Sequence, residues 1–304
     1  MKGLGLEHRA MAATALSGLI WGIYWIPLRA LDGAGITGVW AVVLFYLVPA
    51  ILLVPLYLKR AGHLVSGGWA VHVAGIFAGS AMVLYAGALV FTDIVRALLF
   101  YYLTPLWSTL LAWLVLGEAI TRIRWWAMGL AFVGLIIILD LQSGFELALN
   151  TGDWMGLLAG MVWAAASVRI RSNGDGNPLD LMLSYFFWGS VAALLLVLLP
   201  ISAAGRVPHM SEIGAVLPWL VPVVMLVVIP PALAIMWGAN ILSPGLVAIL
   251  FMTEISAGAI TAAIWANEAF GPREVAGIVL ITTAGMLEPV LGLMRSRKVK
   301  RATL

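Results

Sequence analysis

Cysteine is absent from this chain of 304 residues. That excludes disulfides, thiolate metal sites and thiol nucleophiles. Charge is scarce too: only 10% of the residues are Asp, Glu, Lys or Arg, against roughly 25% in a soluble globular domain. The four histidines, His8, His63, His72 and His209, are scattered and give no ligand spacing. No P-loop pattern is present, so ATP is not expected to act as a driver. What the chain has instead is apolar surface, with 63% hydrophobic residues and a mean hydropathy of +1.05. Too little polar surface remains to cover a core in water. Lipid must be the solvent, and the chain reads as an integral membrane protein.

A spanning helix needs about 20 mostly apolar residues. Reading between charged or Gly/Pro-rich breaks gives ten such segments: 12–31, 38–58, 69–90, 94–116, 123–140, 154–171, 179–200, 215–238, 243–266 and 272–293. The first lacks a clear small-residue cleavage site and is read as a retained helix rather than a signal peptide. Lys and Arg set the orientation. With the N-terminus inside, the inner segments hold 13 of the 17 basic residues, and the outer segments hold Arg29, Arg96, Arg206 and Arg273. Both termini are therefore expected in the cytoplasm. The basic tail Arg295–Arg301 is a topology anchor beside anionic lipid, which explains the net charge of +3 without nucleic acid.

The two halves resemble each other. Gly18, Trp21 and Arg29 correspond to Gly160, Trp163 and Arg171 at one offset of 142. Glu118 corresponds to Glu268 at an offset of 150, which also sets Thr104 opposite Glu254. Five helices per half is an odd number, so two copies must insert in opposite senses. The expected fold is an all-α integral membrane protein of ten transmembrane helices, built as two inverted five-helix repeats, 1–145 and 146–304. Inverted repeats are typical of secondary transporters.

On these residues the chain resembles the drug/metabolite transporter superfamily in its EamA-like branch: ten helices, two repeats, G-x-x-W-[GA] on the first helix of each half, and a Glu after the fourth. The stretch Leu98–Glu118 (LLFYYLTPLWSTLLAWLVLGE) is more narrowly similar to bacterial aromatic amino-acid exporters. The resemblance implies a bacterial inner (plasma) membrane location, export rather than uptake, and helices 5 and 10 peripheral to a cavity formed by the other eight. Trp163 is followed by AAAS where the first half has a glycine, so the halves have diverged.

Glu254 is the one acid placed mid-span, near the middle of the ninth helix. An ionised acid at the bilayer centre costs about 2.5–3.5 kcal/mol on insertion scales, and such residues mark functional sites by default. Gly258, Thr261 and Phe251 share its face by helical spacing, which suits either a cavity wall or close packing. On the fourth helix Tyr101, Thr104, Pro105 and Ser108 share a face. Pro105 removes a backbone donor and frees the Tyr101 carbonyl, making a hinge or a static kink. Pro230 and Pro231 give a second candidate hinge. Trp21 and Trp163, related by the repeat, are placed to flank a cavity with Tyr24, Tyr85, Tyr101 and Tyr102. Arg29 and Arg171 are repeat mates at opposite faces and either gate or snorkel. Glu118 and Glu268 sit at helix ends and are not read as ligands. Gly18/Gly22, Gly75/Gly79 and Gly156/Gly160 are G-x-x-x-G pairs that let helices approach closely.

These features point to a secondary transporter that exports amino acids, including aromatic or neutral ones, or related small metabolites by alternating access. The partners expected are a small-molecule substrate and lipid; no cofactor and no metal is expected. A broad drug and cation effluxer fits the same cavity. A lipid-linked sugar flippase would call for a mid-span basic cluster, which is lacking. An intramembrane enzyme would need paired acids, a Ser–His pair or a metal cluster, and a channel fits proline-broken inverted repeats less well than a carrier does.

Overall fold

A computed structural model describes residues 2–92, 94–138, 149–173, 176–198, 205–265 and 271–302. Its described residues are helices joined by short links. Five helical segments among them are long and apolar enough to cross a membrane, six if one bent pair counts as a single span. The chain is an all-helical, multi-pass membrane protein. The count falls below the ten segments read from sequence for physical reasons. Some segments are broken into shorter helices, and others carry charge within their ends.

The first segment is α1 (Lys2–Trp21) and α2 (Trp25–Gly33). Between them Tyr24 N–H bonds the Trp21 carbonyl at 2.8 Å, a tightened turn. Next come α3 (Val39–Leu52) and α4 (Val54–Ser66), bent by 76° at Leu53. The amide lost at Pro55 in the first turn of α4 accounts for the bend. α5 (Gly68–Phe91) is followed by α6 (Ile94–Tyr101), α7 (Thr104–Leu116) and α8 (Arg122–Ile138). The second half holds α9 (Thr151–Ser172), α10 (Pro178–Val197), α11 (Met210–Val223), α12 (Ile229–Ile241), α13 (Pro244–Phe251), α14 (Thr253–Trp265) and α15 (Pro272–Ala302). The boundary expected near 145 lies outside the described residues.

Packing crosses between the halves. α1 lies on α12, α13 and α14, while α9 lies on α5, α6 and α7. α8 pairs with α15, and α3 and α5 pair with α10. Small residues set the crossings. A methyl group on Gly18 would meet the Phe251 carbonyl at 2.8 Å, and one on Gly160 would meet the Tyr101 carbonyl at 2.8 Å. Gly79 faces Gly189 as closely, so the three G-x-x-x-G pairs are contact surfaces between backbones.

Two helices break at corresponding places. The segment 94–116 ends at Tyr101 and restarts at Thr104, and 243–266 ends at Phe251 and restarts at Thr253. Tyr102 and Met252, in the two breaks, are 150 residues apart, the same offset that relates Thr104 to Glu254. A hydroxyl seals each break. Thr104 donates to the Tyr101 carbonyl, and Thr253 donates to the Leu250 carbonyl at 3.0 Å and to Ala15 at 2.8 Å. A carbonyl left open at membrane depth has no water to turn to. Pro105 therefore sits in the first turn of a new helix, not inside a kinked one, and the Tyr101 carbonyl is satisfied. Pro230 and Pro231 likewise begin α12, directly after a π-helical turn at Val224–Val228. Ser17 donates to the Pro231 carbonyl at 3.2 Å.

Candidate functional site

Glu254 is the second residue of α14, so it stands at a helix break rather than at mid-helix as the sequence reading has it. Early helical positions favour a negative group, because the first amides point toward it. The side chain is only 7% exposed. Tyr85, from α5, donates its hydroxyl to Glu254 Oε1 at 3.2 Å. Glu254 Oε2 and the Tyr102 hydroxyl are both buried, and the hydroxyl stands close enough to the acid to serve as its second donor.

The acid lines a narrow cavity, with free space for about one water-sized molecule, together with Trp21, Tyr24, Phe45, Tyr46, Met82, Tyr85, Tyr185 and Val228. Both halves contribute. Six of the seven tyrosines gather at or directly behind these walls. Tyr46 and Tyr185 share a hydrogen bond of 3.1 Å across the α3–α10 contact. Tyr24 packs edge-on against Phe45 with ring centroids 4.7 Å apart. Tyr101 stacks behind Tyr85 at 4.2 Å and directs its hydroxyl to the Met82 sulfur. Among the described residues of the wall, Glu254 is the one acid or base. The arrangement can hold a cationic or hydrogen-donating group at the acid and an apolar group against the rings.

The other sequence candidates separate into several places. Phe251 lies between the repeat-related tryptophans, edge-on to Trp21 at 5.3 Å and stacked on Trp163 at 6.4 Å. Trp21 lines the cavity, while Trp163 stands behind Phe251. Ser108 is fully buried on α7, away from the cavity wall, and has no hydrogen-bond partner. Gly258 and Thr261 face α1 and α2: Trp25 donates to Thr261 Oγ1 at 3.1 Å. That face is packing, not wall.

The two arginines differ. Arg29 covers the Trp25 ring with its guanidinium 4.8 Å from the centroid. Arg171, at the end of α9, reaches Glu118 Oε1 at 3.7 Å and donates to the Asn240 carbonyl at 3.2 Å. Glu118 thus pairs with an arginine of the other half. Glu268 lies outside the described residues. A second ion pair, Arg60–Asp180, joins α4 to α10 through contacts of 2.5 and 2.8 Å.

Phe45, Tyr46, Met82, Tyr185 and Val228 were not singled out in the sequence. Tyr46 and Tyr185 carry a signal that was there to use, a hydroxyl in mid-span, the same argument that picks out Tyr85. Phe45, Met82 and Val228 carry none, since apolar side chains suit lipid and cavity alike.

Residues 8–140 match the model of the EamA-like transporter family. The matched segment lies in the first half and is under half of the chain. No curated protein matches the chain. Among solved structures, one crystal structure of a protein is 17% identical and superposes with a TM-score of 0.72, over 93% of this chain and 96% of that one. That likeness concerns the fold, and it runs through both halves.

Proposed function

From the premise of an EamA-like transporter unit in residues 8–140, we propose that the chain is a secondary transporter of amino acids, aromatic or neutral ones included, or of related small metabolites. One observation carries this: a buried acid in a cavity walled by aromatic rings and hydroxyls from both halves. Glu254 takes the ammonium group, and the rings take the apolar side chain. Tyr85 orients the carboxyl from the far side.

Alternating access follows from the packing. The chain has ten spans in two inverted five-helix repeats, 1–145 and 146–304, with both termini cytoplasmic in a bacterial inner membrane. The crosswise placement of Gly18 on the second-half break and Gly160 on the first-half break supports this reading. Discontinuous helices near the midplane are where transporters of this kind hold substrate. The breaks, with the π-turn before Pro230–Pro231, are the hinges. Arg171–Glu118 and Arg60–Asp180 join the halves through segments assigned to the cytoplasmic side, and they are the closed gate on that side. Arg29 occupies the corresponding place on the other side. Export is the direction that the family resemblance implies.

A second reading, a drug and cation effluxer, draws on the lack of any basic residue in the cavity wall. Counterflow in proteoliposomes with labelled amino acids separates the two. The amino-acid reading expects uptake that quaternary cations do not compete away, and it expects Glu254→Gln to lose most of that uptake. Uptake by Glu254→Gln equal to wild type would remove the acid from the site.

A further inference from the structure

Trp21 is the last residue of α1, at the point where the first segment unwinds. It lines the cavity and is 4% exposed, yet its indole Nε1 is buried with no acceptor. Glu254, in the same wall, is buried with the Tyr85 and Tyr102 hydroxyls as its neighbouring donors. A native interior leaves few polar groups unpaired, so the bare indole N–H asks for an explanation. The two residues are complementary in kind: the acid accepts hydrogen bonds and the indole N–H gives one. They belong to different halves, and α1 holds them together through the close approach of Gly18 and Gly22 to residues 251–258.

We infer that Trp21 is a specificity-determining residue whose indole N–H reads the carboxylate of a zwitterion whose ammonium sits on Glu254. The inference rests on the proposed amino-acid reading and narrows it. A plain amine satisfies the acid but leaves the indole N–H bare. Sites built to bond a polar group discriminate strongly against analogues that lack it. Trp163 has a different task. It is stacked on the far side of Phe251 and supports the wall without facing the ligand.

The test is exchange in proteoliposomes of the full chain with phenylalanine, tryptophan and leucine, each against its decarboxylated amine. Wild type is expected to favour each amino acid by about 10- to 100-fold in kcat/KM, the effect of one hydrogen bond to a charged group. Trp21→Phe keeps an aromatic ring and removes the N–H, and should bring that ratio close to one. The change should come from slower amino-acid exchange, with amine exchange kept. Replacing Trp21 by its benzothiophene isostere, which keeps the two-ring shape, covers the case in which the phenylalanine variant folds poorly. Trp163→Phe should keep the wild-type ratio.

The inference is overturned if both Trp21 variants keep that ratio, or slow amino acid and amine equally. It is also overturned if wild type carries the amines as well as the amino acids, a result that leaves Glu254 as a cation site intact. If wild type exchanges none of the six compounds, the amino-acid reading falls with it.

Discussion

Replacing Gly22 by alanine tests the contact that holds the cavity together. The added methyl would lie 2.7 Å from the Glu254 carbonyl and 2.9 Å from the Gly258 amide nitrogen, and closer still to Ala257 Cβ. Two of these neighbours are backbone and cannot rotate away. To bring the nearest of these to ordinary contact, the chain at Gly22 and α14 must part by about 1 Å. Overpacking of this sort costs about 1–3 kcal/mol. At roughly 2–4 °C per kcal/mol, Gly22→Ala should melt about 2–12 °C below wild type. It should also transport poorly, because Trp21 and Glu254 move apart with the two backbones. Gly258→Ala is the control at the same interface. Its methyl would meet only the Gly22 carbonyl, at 3.6 Å, an ordinary distance. Removing a helical glycine gains about 0.5–1 kcal/mol, so this variant should melt at or above wild type. Melting of purified protein, followed by tryptophan fluorescence, reads both. The reasoning is refuted if Gly22→Ala melts with wild type, or if Gly258→Ala falls as far as Gly22→Ala.

Three further outcomes are expected. Glu118→Gln breaks a partly exposed pair with Arg171, so the melting temperature should barely move, since such pairs contribute about 0–1 kcal/mol. Labelling of a single cysteine placed at Ser243 by a thiol reagent from the cytoplasmic side should nonetheless rise. The natural chain has no cysteine to interfere, and unchanged labelling would remove Glu118–Arg171 from the gate. Arg60→Lys keeps the charge but loses the two-point contact with Asp180; a lower melting temperature is expected, and an unchanged melting curve counts against it. Thr104→Val keeps the shape while stripping the Tyr101 carbonyl of its donor. It should cost about 1–3 kcal/mol, and a denaturation curve that superposes on that of wild type counts against it.

How much of this was legible in the sequence depends on which solvent a residue prefers. Glu254 stands out because lipid is hostile to charge, so its placement at an internal hollow follows from one letter and its neighbours. The glycine pairs also announce themselves, since an absent side chain is as visible in sequence as a present one. The break at Tyr101–Thr104 has Pro105 beside it as a signal. The matching break at Met252 has no proline in Phe251–Glu254; a hydroxyl, Thr253, does the sealing, and hydroxyls are too common to mark it. That is why Glu254 reads as mid-helix in sequence and as near-terminal in the structure. The π-turn at Val224–Val228 falls in an unbroken apolar run and leaves no trace. The inward faces of α3 and α10 are hidden for the same reason. In water a helix advertises its buried side by contrast, but in lipid Phe45 and Val228 would be content on either side.

The partners of α1 have a consequence for synthesis. Thr253 bonds the Ala15 carbonyl, and the two residues are 238 apart in the chain. At about 5–20 residues per second of translation, roughly 10–50 s pass between the making of the one and of the other. For that interval the smooth strip at Gly18 and Gly22 faces lipid or some temporary companion. Entry into the bilayer and completion of the fold are therefore separate events, and a ribosome stalled before α13 leaves behind an inserted but unfinished half.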